Sequence, residues 1–381
     1  MGRALILLSL SALPAAAQQY KIAVVSMLHA HVWLHLGDML KGDNAKLVGI
    51  AETRPELLQR AKRTDRIPQS TNTRPGVPEN LFFADWKKMI DETKPDIVWA
   101  FTPTNEHVDV VRYCAPRGIH VIMEKPLAAS YQQALEIQSL AKKYNILALA
   151  NYGSTWQASN YAVKAAVDAG EIGPVWRLHA VQGSGGPGDP KTSSFVAWLA
   201  DPVQNGGGAL IDFGCYIVNW SLWLKGMPES VYATALHLKP QLYPNVEDDA
   251  TVTLNYKDGV AILEASWDLP PAPRSGNEVY GLTGSIVGGV IRKAGQRSPQ
   301  PAAATQPGLR AQLPGDPLTV IPLPPERSEP IAYMVDRIRH KQPLDGPSAL
   351  DLNVDVQEVL EAAKFSIKTG QAVPLPLEPQ R

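Results

Sequence analysis

A chain of 381 residues is long enough for two domains with sizeable cores. Hydrophobic residues make up 45% and charged residues 19%, a globular balance that excludes a disordered or fibrous chain. The formal net charge is −1 and no basic block occurs, which excludes electrostatic binding of nucleic acid or of an anionic membrane.

The first residues, MGRALILLSLSALPAAAQQ, read as a secretory signal peptide over residues 1–17. Arg3 precedes an apolar run from Ala4 to Leu13, and the small residues Ala15 to Ala17 follow. The run is shorter than the roughly 18 apolar residues of a membrane span. No twin arginine occurs, so the expectation is export by the general secretory route to the periplasm or the extracellular space. No membrane span is expected after cleavage.

Strands and helices then alternate. KIAVVSM reads as a strand, HVWLHLGDMLKG as a helix, AKLVGIAE as a strand and RPELLQRAKRT as a helix. DIVWAFTP is a strand, and EHVDVVRYCAPRG is a helix closed by Gly118. IHVIMEKP, SYQQALEIQSLAKKY and NILALANY continue as strand, helix and strand. This spacing predicts a doubly wound parallel sheet over residues 18–150. After a helix in ASNYAVKAAVDAGEIGPV the pattern changes. VWRLHAVQG, SVYATALHL, ATVTLNY, AILEASWDL and EVYGLTG are consecutive strands, which predicts an open, mainly antiparallel sheet in an α+β domain over residues 151–376. A Pro-rich stretch, 292–325, reads as an irregular excursion. PIAYMVDRIRHK and VDVQEVLEAAKFSIKTG read as closing helices, the second packing back onto the first domain. Cys114 and Cys215 each lie in a packed element, in different domains, and are expected to be buried free thiols.

The first strand leads into a turn without glycine. Aligned with G-x-G-x-x-G, the glycine positions hold Ser26, Leu28 and His31. Glycines serve there for turn geometry, close approach to pyrophosphate and helix packing. The phosphates themselves are held by backbone N–H groups and the helix N-terminus, which any residue supplies. The rings of His29 and His31 add further N–H groups. Three readings compete: NAD(H) binding through an altered turn, which the remaining residues favour; a fold that has lost the cofactor; and a metal pair at His29 and His31. No further ligand cluster is evident in the sequence, so no metal is expected.

Three stretches carry a resemblance. PDIVWAFTPTNEHVDVVRYCAPRGIHVIMEKPLA, GGGALIDFGCY and VEDDATVTLNYKDGVAILEASW resemble the Gfo/Idh/MocA oxidoreductases, the glucose–fructose oxidoreductase and inositol dehydrogenase family. The likeness runs from about Lys21 to Pro376 and implies an α/β architecture: an N-terminal Rossmann domain and a C-terminal domain for substrate and oligomerisation. Secreted members with a His-x-His turn are similar at the glycine-free site. By this resemblance Lys125 of Glu-Lys-Pro sits near the nicotinamide and the substrate hydroxyl. Asp212 orients the acid–base group or substrate, and Tyr216 stands where many members have His. Tyr216 would transfer the hydroxyl proton once its pKa is lowered. Glu52 would take the ribose hydroxyls and repel a 2′-phosphate, while Arg54 keeps NADP open. Thr102, Pro103, Asn105, His107 and Glu124 occupy nicotinamide-side positions.

The substrate class implied is a sugar, glycoside or polyol, met by Asn151, Tyr152, Trp156, Asn160 and Trp198. Export implies a tightly bound cofactor, NAD or NADP, since free NAD is scarce outside the cytoplasm. The leading expectation is hydride transfer from a CH–OH group in a homo-oligomer, a dimer or tetramer. The alternatives are a glycosidase that oxidises its sugar transiently with no net redox, and a cofactor-free sugar-binding protein.

Overall fold

The computed structural model describes residues 19–270, 276–295 and 315–377. The proposed signal, 1–17, lies outside the described residues, as do 296–314 of the Pro-rich stretch.

The N-terminal unit is an all-parallel six-stranded sheet. Its strands are β1 (Tyr20–Val25), β2 (Ala45–Ala51), β3 (Phe82–Phe83), β4 (Ile97–Ala100), β5 (His120–Glu124) and β6 (Ala148–Asn151), in the order β3-β2-β1-β4-β5-β6. The chain reverses direction across the sheet between β1 and β4, which makes that crevice the switch point where such sheets bind ligands. Strands β4 and β6 are buried at every position, as expected where helices cover both faces. The helices are α1 (Val32–Lys41), α2 (Pro55–Lys62), α3 (Trp86–Thr93), α4 (His107–Cys114) and α5 (Tyr131–Tyr144). The elements β3 and α3 were not anticipated. Gly118, at φ 69°, closes the turn that follows α4, and Asn145 does the same after α5.

A linking helix, α6 (Ala158–Asp168), leads to β7 (Val175–Gly183), then α7 (Ser194–Leu199), α8 (Ala209–Asp212) and α9 (Gly214–Lys225). The rest of the sheet is β8 (Ser230–Leu236), β9 (Asp249–Tyr256), β10 (Gly259–Ser266), β11 (Gly276–Gly281), β12 (Gly284–Val287), β13 (Val290–Lys293), β14 (Asp316–Pro317) and β15 (Val373–Pro374), with α10 (Pro330–His340) and α11 (Leu350–Thr369) before the last strand. The nine strands run β14-β13-β12-β11-β7-β10-β9-β8-β15. Every pairing is antiparallel except β7 with β10. The Pro-rich stretch is therefore regular at both described ends: Arg292 and Lys293 belong to β13, and β14 pairs with it.

Helices α9 and α11 cover one face of this sheet, and α11 also packs against α5. One hydrophobic cluster consequently runs from Val98 and Val121 of the first sheet through Val359 to Val252 of the second. A second cluster lies on the opposite face of the first sheet and includes Ile331, Tyr333 and Met334 of α10. Both cysteines are buried and free, as expected. Among the described residues, no helix is long and apolar enough to cross a membrane.

Candidate active site

Strand β5 delivers Glu124, Lys125 and Pro126 to the carboxyl edge of the parallel sheet, with a cis bond between the last two. The Lys125 Nζ donates to Asp212 Oδ1 at 2.5 Å and to the Asp212 carbonyl at 3.0 Å. Asp212 ends α8, and its position depends on the glycine run before it. Gly206 adopts φ 93°, and a Cβ on Gly208 would overlap the Glu247 carbonyl. The Glu247 carboxylate accepts from the amides of Gly208 and Leu210, at 2.8 and 3.0 Å, and so fills the N-terminus of α8. The other Asp212 oxygen accepts from Trp267 Nε1 at 2.9 Å. Asp212 therefore holds Lys125 through one oxygen and is itself fixed by Trp267 through the other. Burial alone would lower the Lys125 pKa, but the Asp212 carboxylate outweighs it and the ammonium stays charged.

Tyr216 lies in the first turn of α9, four residues beyond Asp212. Its ring centroid is 5.1 Å from Lys125 Nζ, and Tyr152 meets it edge-on at 5.3 Å. The expectation of a lowered phenol pKa is corrected here. Burial pushes it up, and Lys125 offsets this only in part. Tyr216 is a neutral phenol.

At the turn, Ser26 takes φ 66°, the left-handed conformation that glycine would otherwise supply. Its amide pairs with Ala51 O. The Met27 amide donates to Glu52 Oε2 at 2.8 Å, Leu28 to Ser26 Oγ at 3.1 Å, His29 to Phe101 O at 2.9 Å and His31 to His29 Nδ1 at 3.2 Å. These five amides already have partners in the chain, whereas phosphate binding by backbone was the expectation. The Leu28 side chain stands at the second glycine position of the motif. It is buried against Val196, Trp198 and Leu199 of α7 and against Trp267.

A cavity of about 710 Å³ opens beside the turn, over the carboxyl ends of β1 and β2. Ser26, Glu52, Arg54, Thr102, Arg112 and Tyr113 line it. That volume suits a small-molecule moiety, and its place at the switch point suits the adenosine half of a dinucleotide. Glu52 Oε1 accepts from the Thr53 and Arg54 amides and from Arg54 Nη1 at 2.9 Å. The acid after β2 is thus fixed at the cavity wall.

Behind the turn lies a buried cluster. His31 Nδ1 is 2.7 Å from Glu124 Oε2, and His29 Nδ1 is 4.0 Å from the same oxygen. Glu124 Oε1 accepts from Trp99 Nε1 at 3.2 Å and from Asn151 Nδ2 at 2.9 Å. Burial would raise the Glu124 pKa, but His31 and the neighbouring histidines hold it far below the usual range. His29 is wholly enclosed, with Phe195 edge-on and Trp198 tilted across it at 5.7 Å, and burial lowers its pKa. His107 bonds Leu127 O through Nδ1, its Nε2 has no partner, and burial lowers its pKa to about 4. The sequence offered no third carboxylate or imidazole beside His29 and His31; the fold brings Glu124 to them.

The remaining candidates divide. Thr102 bonds the Pro103 carbonyl, and the Asn105 amide donates to Gln204 O while its buried Oδ1 is unpaired. Asn151, Tyr152 and Trp198 join the site, all buried. Trp156 stands behind the site, donating to Asn151 Oδ1 and packing against Tyr333, and Asn160 donates to the Ser154 carbonyl. Sequence reasoning missed Trp267, Trp99 and Glu247. Each acts through long-range hydrogen bonds, one for each tryptophan and two for Glu247, for which a single sequence holds no periodic signal.

A switch-point cavity with an acid after β2 and a buried lysine after β5 defines a two-domain, dinucleotide-binding protein. Residues 25–152 match the oxidoreductase family NAD-binding Rossmann fold, and residues 161–287 match the GFO/IDH/MocA C-terminal domain, so the chain belongs to the Gfo/Idh/MocA family. The levoglucosan dehydrogenase of Pseudarthrobacter phenanthrenivorans is 26% identical over 48% of this chain and 44% of its own length. A D-xylose 1-dehydrogenase (NADP(+)) of Haloferax volcanii is 26% identical over 51% of this chain and 57% of its own. The chain spans about half the length of the curated relatives it matches. The aldose-aldose oxidoreductase from Caulobacter crescentus, solved with glycerol, superposes with a TM-score of 0.72 at 22% identity, covering 94% of this chain and all of that one. The WlbA dehydrogenase from Bordetella pertussis, solved with NADH and UDP-GlcNAcA, gives 0.71 at 19%, covering 96% and 100%. At these identities the likeness is one of fold.

Proposed function

We propose that the chain is an NAD(P)-dependent oxidoreductase acting on a CH–OH group of a sugar, glycoside or polyol. The observation that carries this reading is the charged Lys125, locked by Asp212 beside Tyr216 at the carboxyl edge of β5. The adenosine-sized cavity supports it, as do relatives named as sugar dehydrogenases. When bound, the nicotinamide supplies a hydride acceptor. Ser26, Glu52, Arg54 and Thr102 would hold its adenosine half. Lys125 donates to the substrate oxygen and stabilises the alkoxide, and the hydroxyl proton passes through the Tyr216 hydroxyl, which accepts it while giving up its own, to solvent. Asp212 keeps the ammonium in place, and the neutral Tyr216 phenol hydrogen-bonds the same oxygen.

Mass spectrometry of protein purified without added nucleotide, followed by calorimetry of NAD+ and NADP+ into stripped protein, tests the reading. Saturable binding is expected. A flat titration of folded protein removes hydride transfer and leaves a cofactor-free sugar-binding protein, the second reading. The satisfied turn amides and the Leu28–Trp198 packing are what favour that alternative. Cleavage of an aryl glycoside without net NADH would instead mark redox-neutral glycosidase chemistry. Export rests on the leader-like residues 1–17 and is checked by fractionating a tagged full-length chain. Homo-oligomerisation rests on the uncovered face of the second sheet, where Tyr232 and Leu236 are exposed. Light scattering that returns a monomer at micromolar concentration would count against it.

A further inference from the structure

We propose that His29, His31 and Glu124 form a mononuclear site for a divalent first-row transition-metal ion, built into the turn after β1. One ring nitrogen from each histidine and one Glu124 oxygen lie within 4.8 Å of one another. Metal–ligand bonds of about 2.0–2.2 Å place adjacent ligand atoms roughly 3–4 Å apart. The His29 Nδ1–Glu124 separation of 4.0 Å already meets this, and the ion replaces two hydrogen bonds, that from the His31 amide to His29 Nδ1 and the 2.7 Å bond between His31 and Glu124.

The surroundings are those of a ligand set. A ligating carboxylate needs its second oxygen fixed. Here Trp99 Nε1 and Asn151 Nδ2 both donate to Glu124 Oε1, while Oε2 turns to the histidines. Trp156 Nε1 in turn fixes Asn151 through its Oδ1. Glu124 is wholly buried and His29 is 2% exposed, whereas the His31 side chain is 29% exposed and leaves a way in for the ion.

Two imidazoles and one carboxylate, without thiolate, suit zinc, iron(II), cobalt(II) or manganese(II) rather than a soft ion, and they leave coordination positions open for oxygen ligands. The site occupies the turn whose amides are taken by the chain itself. A cation there would provide positive charge where a glycine turn provides N–H groups.

The test uses the full chain, stripped with chelator and dialysed, and titrated with Co2+ followed by visible absorption, with Zn2+ as competitor. One equivalent is expected, with d–d bands of nitrogen and oxygen coordination that Zn2+ abolishes. His31→Ala should weaken binding at least about 100-fold, with His31→Gln as substitute if the alanine variant does not fold. Trp99→Phe keeps all three ligands and should weaken binding about 10–100-fold by freeing Glu124. Absence of saturable Co2+ binding by folded wild-type protein would overturn the site. So would unchanged affinity in the His31 variants, which would place the ion elsewhere. The readout is independent of nucleotide, so a flat NAD+ titration leaves this inference standing.

Discussion

At the scale of single residues, the Lys125–Asp212 pair decides both chemistry and stability. Lys125→Ala should lower turnover about 100-fold or more while NAD+ affinity changes little. Steady-state kinetics against a responsive sugar, with calorimetry alongside, checks this, and a near-wild-type rate would reassign the lysine. Asp212→Ala has a different signature. It strands a buried ammonium and removes the Trp267 acceptor, so an unfolding cost of about 3–5 kcal/mol is expected in denaturant melts. Leu28→Ala should cost about 2–5 kcal/mol, since Leu28 is packed among α7 side chains. That Lys125 and Asp212 belong to one site was legible through the family resemblance of Glu-Lys-Pro and the glycine run, and the structure joins them. The state of Tyr216 was not, because its pKa is set by burial under elements distant in sequence. Nor were Trp99 and Trp267, whose hydrogen bonds span 25 and 55 residues.

At the scale of elements, legibility followed amphipathic periodicity. Strands of the parallel sheet and helices α1, α2 and α5 stood out, each with a buried stripe or a continuous apolar run. Helix α9 is buried nearly all round, so it has no polar face to betray it. Strand β3 has two residues, too few for any period. The last long helix, α11, carries a conflict that yields a prediction. Asp355 is partly buried, and Glu358 and Asp351 are its like-charged neighbours. Burial first, then those charges, raise its pKa to about 6. A carboxyl with a raised folded pKa binds protons more tightly in the native state, so its penalty grows as pH rises from 3.8 toward about 6 and then stays constant. Asp355→Asn should therefore raise Tm more at pH 8 than at pH 5. Equal gains at both pH values would show that the charge is not the cause.

At the scale of the molecule, several imidazoles are kept neutral by enclosure. Burial lowers both His35 and His107 to about 4 from an ordinary 6.5. Between those values the unfolded chain binds protons that the native one refuses, so stability falls as pH drops below 6.5. Thermal melts should show Tm declining by several degrees between pH 7 and pH 4.5. His107→Gln should flatten that limb, and an unchanged slope would assign the acid loss to other groups. The two-unit architecture was readable from the change in pattern after about residue 155. The return of α11 onto the first unit was expected and is seen in its packing against α5; the return of α10 was not, because it lies far along the chain from the sheet it helps to cover.

That placement of α10 has a consequence for the order of assembly. Ile331, Tyr333 and Met334 share a cluster with Ile22, Trp99 and Ile122, so part of one layer of the nucleotide-binding half, beside α1, is supplied long after its sheet has been made. During synthesis that face would wait with α1 in place and the α10 side open, a slow, non-local closure that invites chaperone engagement. The half that begins the chain would be the last to be sealed.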